Sequence, residues 1–204
     1  MCRKTVILAA GDFPKKGGVA RKLLAGATRV VACDSAADAY RRAFRKWPAV
    51  VIGDLDSFRH PSSLIPLPSS LLIREANQDT NDLEKAMAYC AKQGWPKPVI
   101  VGATGKREDH TLGNVFRALA YGCEIVTDCG RFIPIRGKMA LKVKKGAAVS
   151  VFAPDPKTRM TSKGLEWPLD EVRFRNLYCA TLNRATATRI VLTSTHPVTV
   201  YIAS

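Results

Sequence analysis

Residues 50–58 read VVIGDLDSF. An apolar run, Ala49 to Ile52, stops at Gly53 and gives way to Asp54, Leu55, Asp56 and Ser57. A strand buried on both faces reads as a continuous apolar run, and such strands belong to parallel sheets covered by helices. Ligands of those sheets bind beyond the strands' carboxyl ends. Two acids stand there. In an extended chain Asp54 and Asp56 project to one side, so their charges repel unless a cation joins them. A hard divalent ion such as magnesium suits this, because it takes oxygen ligands while keeping waters and substrate phosphates. Asp and Ser also cap plain turns, and on this stretch alone both readings stay open.

Outward from that stretch the pattern repeats. Strand-like runs lie at Thr5–Ala10, Arg29–Cys33, Pro48–Ile52, Leu71–Ile73, Pro98–Val101 and Cys123–Thr127, with helical patterns between several of them. Alternating strands and helices predict an α/β domain with a mainly parallel sheet over residues 1–130. The last third differs. Residues 138–143, 147–152, 186–192 and 198–202 are short and β-rich, punctuated by Gly, Pro and Asn, with no convincing helix. This predicts an all-β, sandwich-like domain over residues 131–204, the boundary falling near Gly130 to Gly137.

Two further stretches bear on chemistry. In NQDTNDLEKAM (77–87), Asp79, Thr80 or Asn81 can cap a helix whose apolar stripe is Leu83, Met87 and Cys90. Asp79 and Asp82 share one face of its first turn. Acids at a helix start also stabilise it through the macrodipole, so capping competes with metal binding as the reading. In VGATGKREDHTLGN (101–114), a strand ends in a glycine turn, Lys106 and Arg107 follow, and a helix begins near Glu108–Asp109. Exposed backbone N–H groups, two cations and a helix N-terminus make an anion site. The spacing is not that of a Walker A loop. His110 and Asn114 share a helical face, and no proton transfer is assigned to His110.

The whole chain sets the bounds. It has 204 residues, 47% hydrophobic and 24% charged, with no apolar stretch of membrane-spanning length. Six cysteines form no CxxC pair, which fits reduced thiols in a cytoplasmic protein. The N-terminus reads as a strand rather than a signal peptide. A net charge of +15 suits an anionic partner. No nucleic-acid motif accompanies it, so a solvated basic surface is preferred over a nucleic-acid stripe. Two acidic turns and one basic glycine turn at one end of a sheet are what magnesium-dependent transfer from a nucleoside triphosphate needs.

With these stretches in hand, the chain resembles the thiamine pyrophosphokinase family. GDLDS at 53–57, NQDTNDLEKA at 77–86 and GATGKREDHTLGN at 102–114 are similar to three of its motifs, in order. CDSAADAY at 33–40 and TSKGLEWPL at 161–169 resemble two more. The resemblance implies a homodimer with an α/β ATP-binding domain and a β-sandwich domain for thiamine binding and dimerisation, the acceptor lying between the α/β domain of one subunit and the β domain of the other. It implies Mg2+-dependent transfer of a pyrophosphoryl group from ATP to thiamine, giving thiamine diphosphate and AMP. By motif position it makes Asp54, Asp56 and Asp82 the metal and phosphate acids. Asp34, Thr104, Gly105, Lys106, Arg107 and Asp109 become nucleotide contacts, and Gln78, Asp79 and Asn183 acceptor contacts. Asn77, Asn81, Ser35–Ala36 and Leu182 depart from the family pattern. Asp54-Leu55-Asp56 is also a D-x-D pattern, so a nucleotide-sugar transferase is one alternative; a basic nucleic-acid-binding module is the other. Trp167 is expected to pack in the sandwich core in preference to stacking on the cationic acceptor.

Overall fold

The computed structural model describes residues 4–54, 72–74, 80–95 and 97–204. Two compact units emerge: residues 1–117 with 126–128, and residues 118–125 with 129–204. The chain crosses between them after residues 117, 125 and 128, the last crossing lying beside Gly130.

The first unit holds β1 (Thr5–Leu8), α1 (Val19–Ala25), β2 (Arg29–Cys33), α2 (Ala36–Phe44), β3 (Val50–Gly53), β4 (Leu72–Arg74), α3 (Asp82–Lys92), β5 (Val99–Val101) and most of α4 (Glu108–Tyr121). Its strands pair in parallel in the order β5-β1-β2-β3-β4. Every residue of β1 and β3 is buried, as a sheet covered on both faces requires. Val6, Leu8, Val30, Ala32 and Val51 pack with Leu24 and Tyr40 in one core. Parallel pairing places the carboxyl ends of β1, β2, β3 and β5 on one edge. The turns after them hold Gly11, Asp34, Asp54 and Gly102 to Lys106.

After β6 (Ile125–Val126), the second unit is β7 (Gly130–Lys142), β8 (Ala148–Phe152), β9 (Met160–Lys163), β10 (Ala180–Arg184) and β11 (Arg189–Ala203). Pairing is antiparallel: β10 with β8, and β11 with β8, β7 and β9. The runs at 186–192 and 198–202, read from sequence as separate strands, are joined: residues 189–192 and 198–202 belong to one strand, β11. Between Ser194 and Val198 its register with β7 shifts, and there the Ser194 hydroxyl donates to the His196 carbonyl at 2.7 Å. A bulge of this kind bends a strand without ending it. Residues from both halves of β11, including Ile190, Leu192, Val198 and Val200, share one buried core with Val149, Val151 and Phe174. The fold is thus a helix-covered sheet followed by a β-rich domain.

Candidate active site

The site is built where β2, β3 and α3 end or begin. Asp34 follows β2, Asp54 follows β3, and Asp82 is the first residue of α3. One carboxylate oxygen of each lies within 4.8 Å of those of the other two. Unit charges at that spacing repel by about 3 kcal/mol per pair at an effective dielectric near 20, so the cluster favours a cation. Gly53 permits the approach: a Cβ there would lie 3.1 Å from the Asp34 Cβ and 3.3 Å from Asp82 Oδ2. A hard divalent ion fits three oxygen donors with room for waters and phosphate. Asp56 was paired with Asp54 on sequence; it lies outside the described residues, as do Gln78 and Asp79.

Asn81 is the helix cap. Its Oδ1 accepts from the Glu84 N–H at 2.9 Å, and its Nδ2 donates to Asn114 Oδ1 at 3.1 Å. Asn114 in turn donates to the Ala103 carbonyl at 2.9 Å. Arg117 Nε donates to Glu84 Oε2 at 2.9 Å. These contacts tie α3 to α4 and to the turn after β5, and so hold the acids at a set distance from the glycine turn. Gly105 sits at φ +81, a conformation that favours glycine. Lys106 Nζ donates to the Ala10 carbonyl at 2.7 Å. Exposed Arg107 forms an ion pair with Asp109 at 2.6 Å. Their hydrogen bond and charge pull the Asp109 carboxyl down to about 2.

A cavity of about 330 Å³ gathers these parts: Asp34, Asp82, Gly105, Lys106, Arg107 and His110 line it, among others. The Thr104 carbonyl accepts from the Asp12 N–H at 2.8 Å. Cys33 also lines the cavity. Burial first, then the charge of Asp82, pushes its thiol well up, which makes it a packing group rather than a nucleophile. A larger groove of about 510 Å³ on the second unit, lined by Lys138, Lys163, Arg189 and Asp170, has neither an acid cluster nor a glycine turn.

The second unit treats its polar candidate differently. Asn183 is buried. Its Oδ1 accepts from the Trp167 and Arg184 N–H groups at 3.2 and 2.8 Å, and its Nδ2 donates to the Trp167 carbonyl at 2.7 Å. Trp167, expected in the core, is instead 54% exposed, as are Tyr178 (66%) and Leu182 (84%). The cause is local. Two of the three partners of Asn183 are backbone groups of Trp167, which anchor the main chain and leave the indole outside.

Comparison with known proteins settles the family. Residues 20–126 match the model for "Thiamin pyrophosphokinase, catalytic domain" and residues 130–201 that for "Thiamin pyrophosphokinase, substrate-binding domain". The chain belongs to the thiamin pyrophosphokinase family. Thiamin pyrophosphokinase 1 of Caenorhabditis elegans is 28% identical over 81 residues, 37% of this chain and 32% of that protein. The match thus spans about a third of that relative's length. A thiamine pyrophosphokinase structure from Bacillus subtilis aligns at TM-score 0.73 and 18% identity, covering 98% of this chain and 99% of that one. One from Geobacillus thermodenitrificans gives 0.74 at 20%, covering 98% and 96%. The Candida albicans enzyme gives 0.69 at 13%, covering 98% and 89%. At such identities these structures establish a shared fold. Membership in the thiamin pyrophosphokinase family sets aside the nucleotide-sugar transferase and nucleic-acid module readings. Among the described residues, no helix is long and apolar enough to cross a membrane.

The structure adds three features of this site to the sequence reading. Asp34, a nucleotide contact by the family resemblance, also lies in the acid cluster with Asp54 and Asp82. The relay from Asn81 through Asn114 joins residues 33 apart, which no local pattern reveals. Lys85, three residues after Asp82, pairs with it; only the i, i+3 spacing hints at this.

Proposed function

We propose that the chain is a cytoplasmic, Mg2+-dependent enzyme that transfers the pyrophosphoryl group of ATP to the hydroxyl of thiamine, forming thiamine diphosphate and AMP. One observation carries the reading: in a chain of this family, Asp34 and Asp82 of an acid cluster and a glycine–lysine turn line the same cavity at the carboxyl ends of a parallel sheet. Residues 1–130 serve catalysis and residues 131–204 acceptor binding and dimerisation.

Asp34, Asp54 and Asp82, with Asp56, would hold the magnesium. When bound, that ion neutralises phosphate charge and favours in-line displacement. The chain's own residues position the reactants. Backbone N–H groups of the turn at Thr104–Gly105 and the charges of Lys106 and Arg107 orient the triphosphate; Asp109 aligns the Arg107 guanidinium. Gln78 and Asp79 contact the acceptor. Asn183 acts on it through Trp167, whose exposed indole suits a cationic thiazolium. The protein works as a homodimer.

Product analysis with ATP, Mg2+ and thiamine tests the reaction. AMP and thiamine diphosphate are expected; ADP would overturn pyrophosphoryl transfer, and no thiamine product would overturn the acceptor. Light scattering should report a mass of two chains.

A further inference from the structure

We propose that Lys85 is a resident counter-charge of the acid cluster: it holds Asp82 in place before any cation arrives and yields electrostatic ground when one binds. The inference rests on reading the three acids as cation ligands. Lys85 lies on α3, one turn after Asp82, and its Nζ is 3.2 Å from Asp82 Oδ1. Its side chain is only 7% exposed, against 28% for Asp82. A lysine this buried is uncommon unless paired. Asp82 lines the cavity while Lys85 does not, so the ammonium approaches the carboxylate from behind the cavity wall. Asp82 Oδ2 is the oxygen near Gly53. One oxygen is thereby held by Lys85, and the other lies beside Gly53, the residue before Asp54.

The consequence is a thermodynamic linkage. Three carboxylates at this spacing repel, and a cation from solution and the ammonium both relieve that strain. Removing the ammonium makes the metal-free protein less stable and the cluster more negative. A divalent ion then gains more by binding, and whatever binds the folded state more tightly stabilises it more. Lys85 is not among the residues lining the cavity. It is a positioning residue, and its signature lies in cation binding.

The test uses the full chain without nucleotide, with Mn2+ as the probe. Lys85→Met should lower the metal-free melting temperature by roughly 5–10 °C. Saturating Mn2+ should close most of that gap, and the Mn2+ dissociation constant should fall about tenfold. Equal losses with and without Mn2+ would make Lys85 a packing residue and overturn the proposal; so would weaker Mn2+ binding. If Lys85→Met fails to fold without metal, the Asp82→Asn background decides. There, Lys85→Met should cost much less than in the parent, and an undiminished loss would overturn the counter-charge role. A parent chain that binds no Mn2+ would sink both this proposal and the cation reading of the acids. Normal Mn2+ binding by the parent with an unresponsive Lys85 variant would sink only the former.

Discussion

The two units handle polar side chains in opposite ways. In the first, Asp34, Asp82 and Lys106 line a cavity, and their positions come from strand ends and a helix start. In the second, the polar candidate Asn183 is turned inward and spends its amide on the backbone of Trp167 and Arg184, while apolar Trp167 and Leu182 face out. A polar residue that matches a family motif can therefore serve ligand or scaffold. Its hydrogen-bond partners tell the two apart. Substitution in the first unit should remove function and spare the fold; substitution of Asn183 should lower stability first and reach the acceptor only through Trp167.

The widest gap is expected at Asp82→Asn. Losing one carboxylate from a site that stabilises developing charge should cut AMP formation by roughly 10²–10³-fold, with circular dichroism unchanged. Retained activity would break the assignment. Next comes Asn183→Ala. Three hydrogen bonds go and buried backbone groups lose partners, at about 2–3 kcal/mol, so thermal melts should shift down by roughly 5–10 °C. An unshifted melt with poor thiamine binding would make Asn183 a direct ligand and erase the contrast.

Arg107→Ala should sharpen the picture with a smaller effect. ATP affinity by calorimetry is expected to drop by roughly tenfold, and the melting temperature should hold, since the guanidinium is exposed. The smallest effect concerns Asp109. Its carboxyl is lowered from 3.8 to about 2, first by the Arg107 hydrogen bond. A depressed folded value adds stability above pH 3.8 that is lost as pH falls toward 2; both groups are solvated, so the gain is too slight for melts. Carboxyl NMR should place the Asp109 midpoint near 2 in the parent and return it toward 3.8 in Arg107→Ala.

Much of the first unit was legible because its signals are local. A continuous apolar run ending in Gly-Asp marks a buried strand and the edge where ligands bind. A cap residue followed by an apolar stripe marks α3. The second unit was harder. Gly137 and Pro134 look like strand ends, yet both lie inside β7, opposite Ser194 and Thr199 of β11. The polar strands MTSK and ATLNR have no clean alternation, so pairing rather than pattern makes them strands. Trp167 carried no sign of exposure, because Asn183, which holds its backbone, lies 16 residues away.

The sequence by itself determined the succession of helix-covered strands and β-rich strands, the three polar turns at strand ends, and the likeness to one family. Those features depend on side-chain period, turn chemistry and short motifs, all written within a dozen neighbouring residues. Tertiary structure alone decided that Asp34 joins Asp54 and Asp82 within 4.8 Å, that Asn81 reaches Asn114, and that the Trp167 indole stays outside. Each depends on which strands lie side by side and which helices cross above them. Such distances arise only when segments remote in the chain are packed against one another.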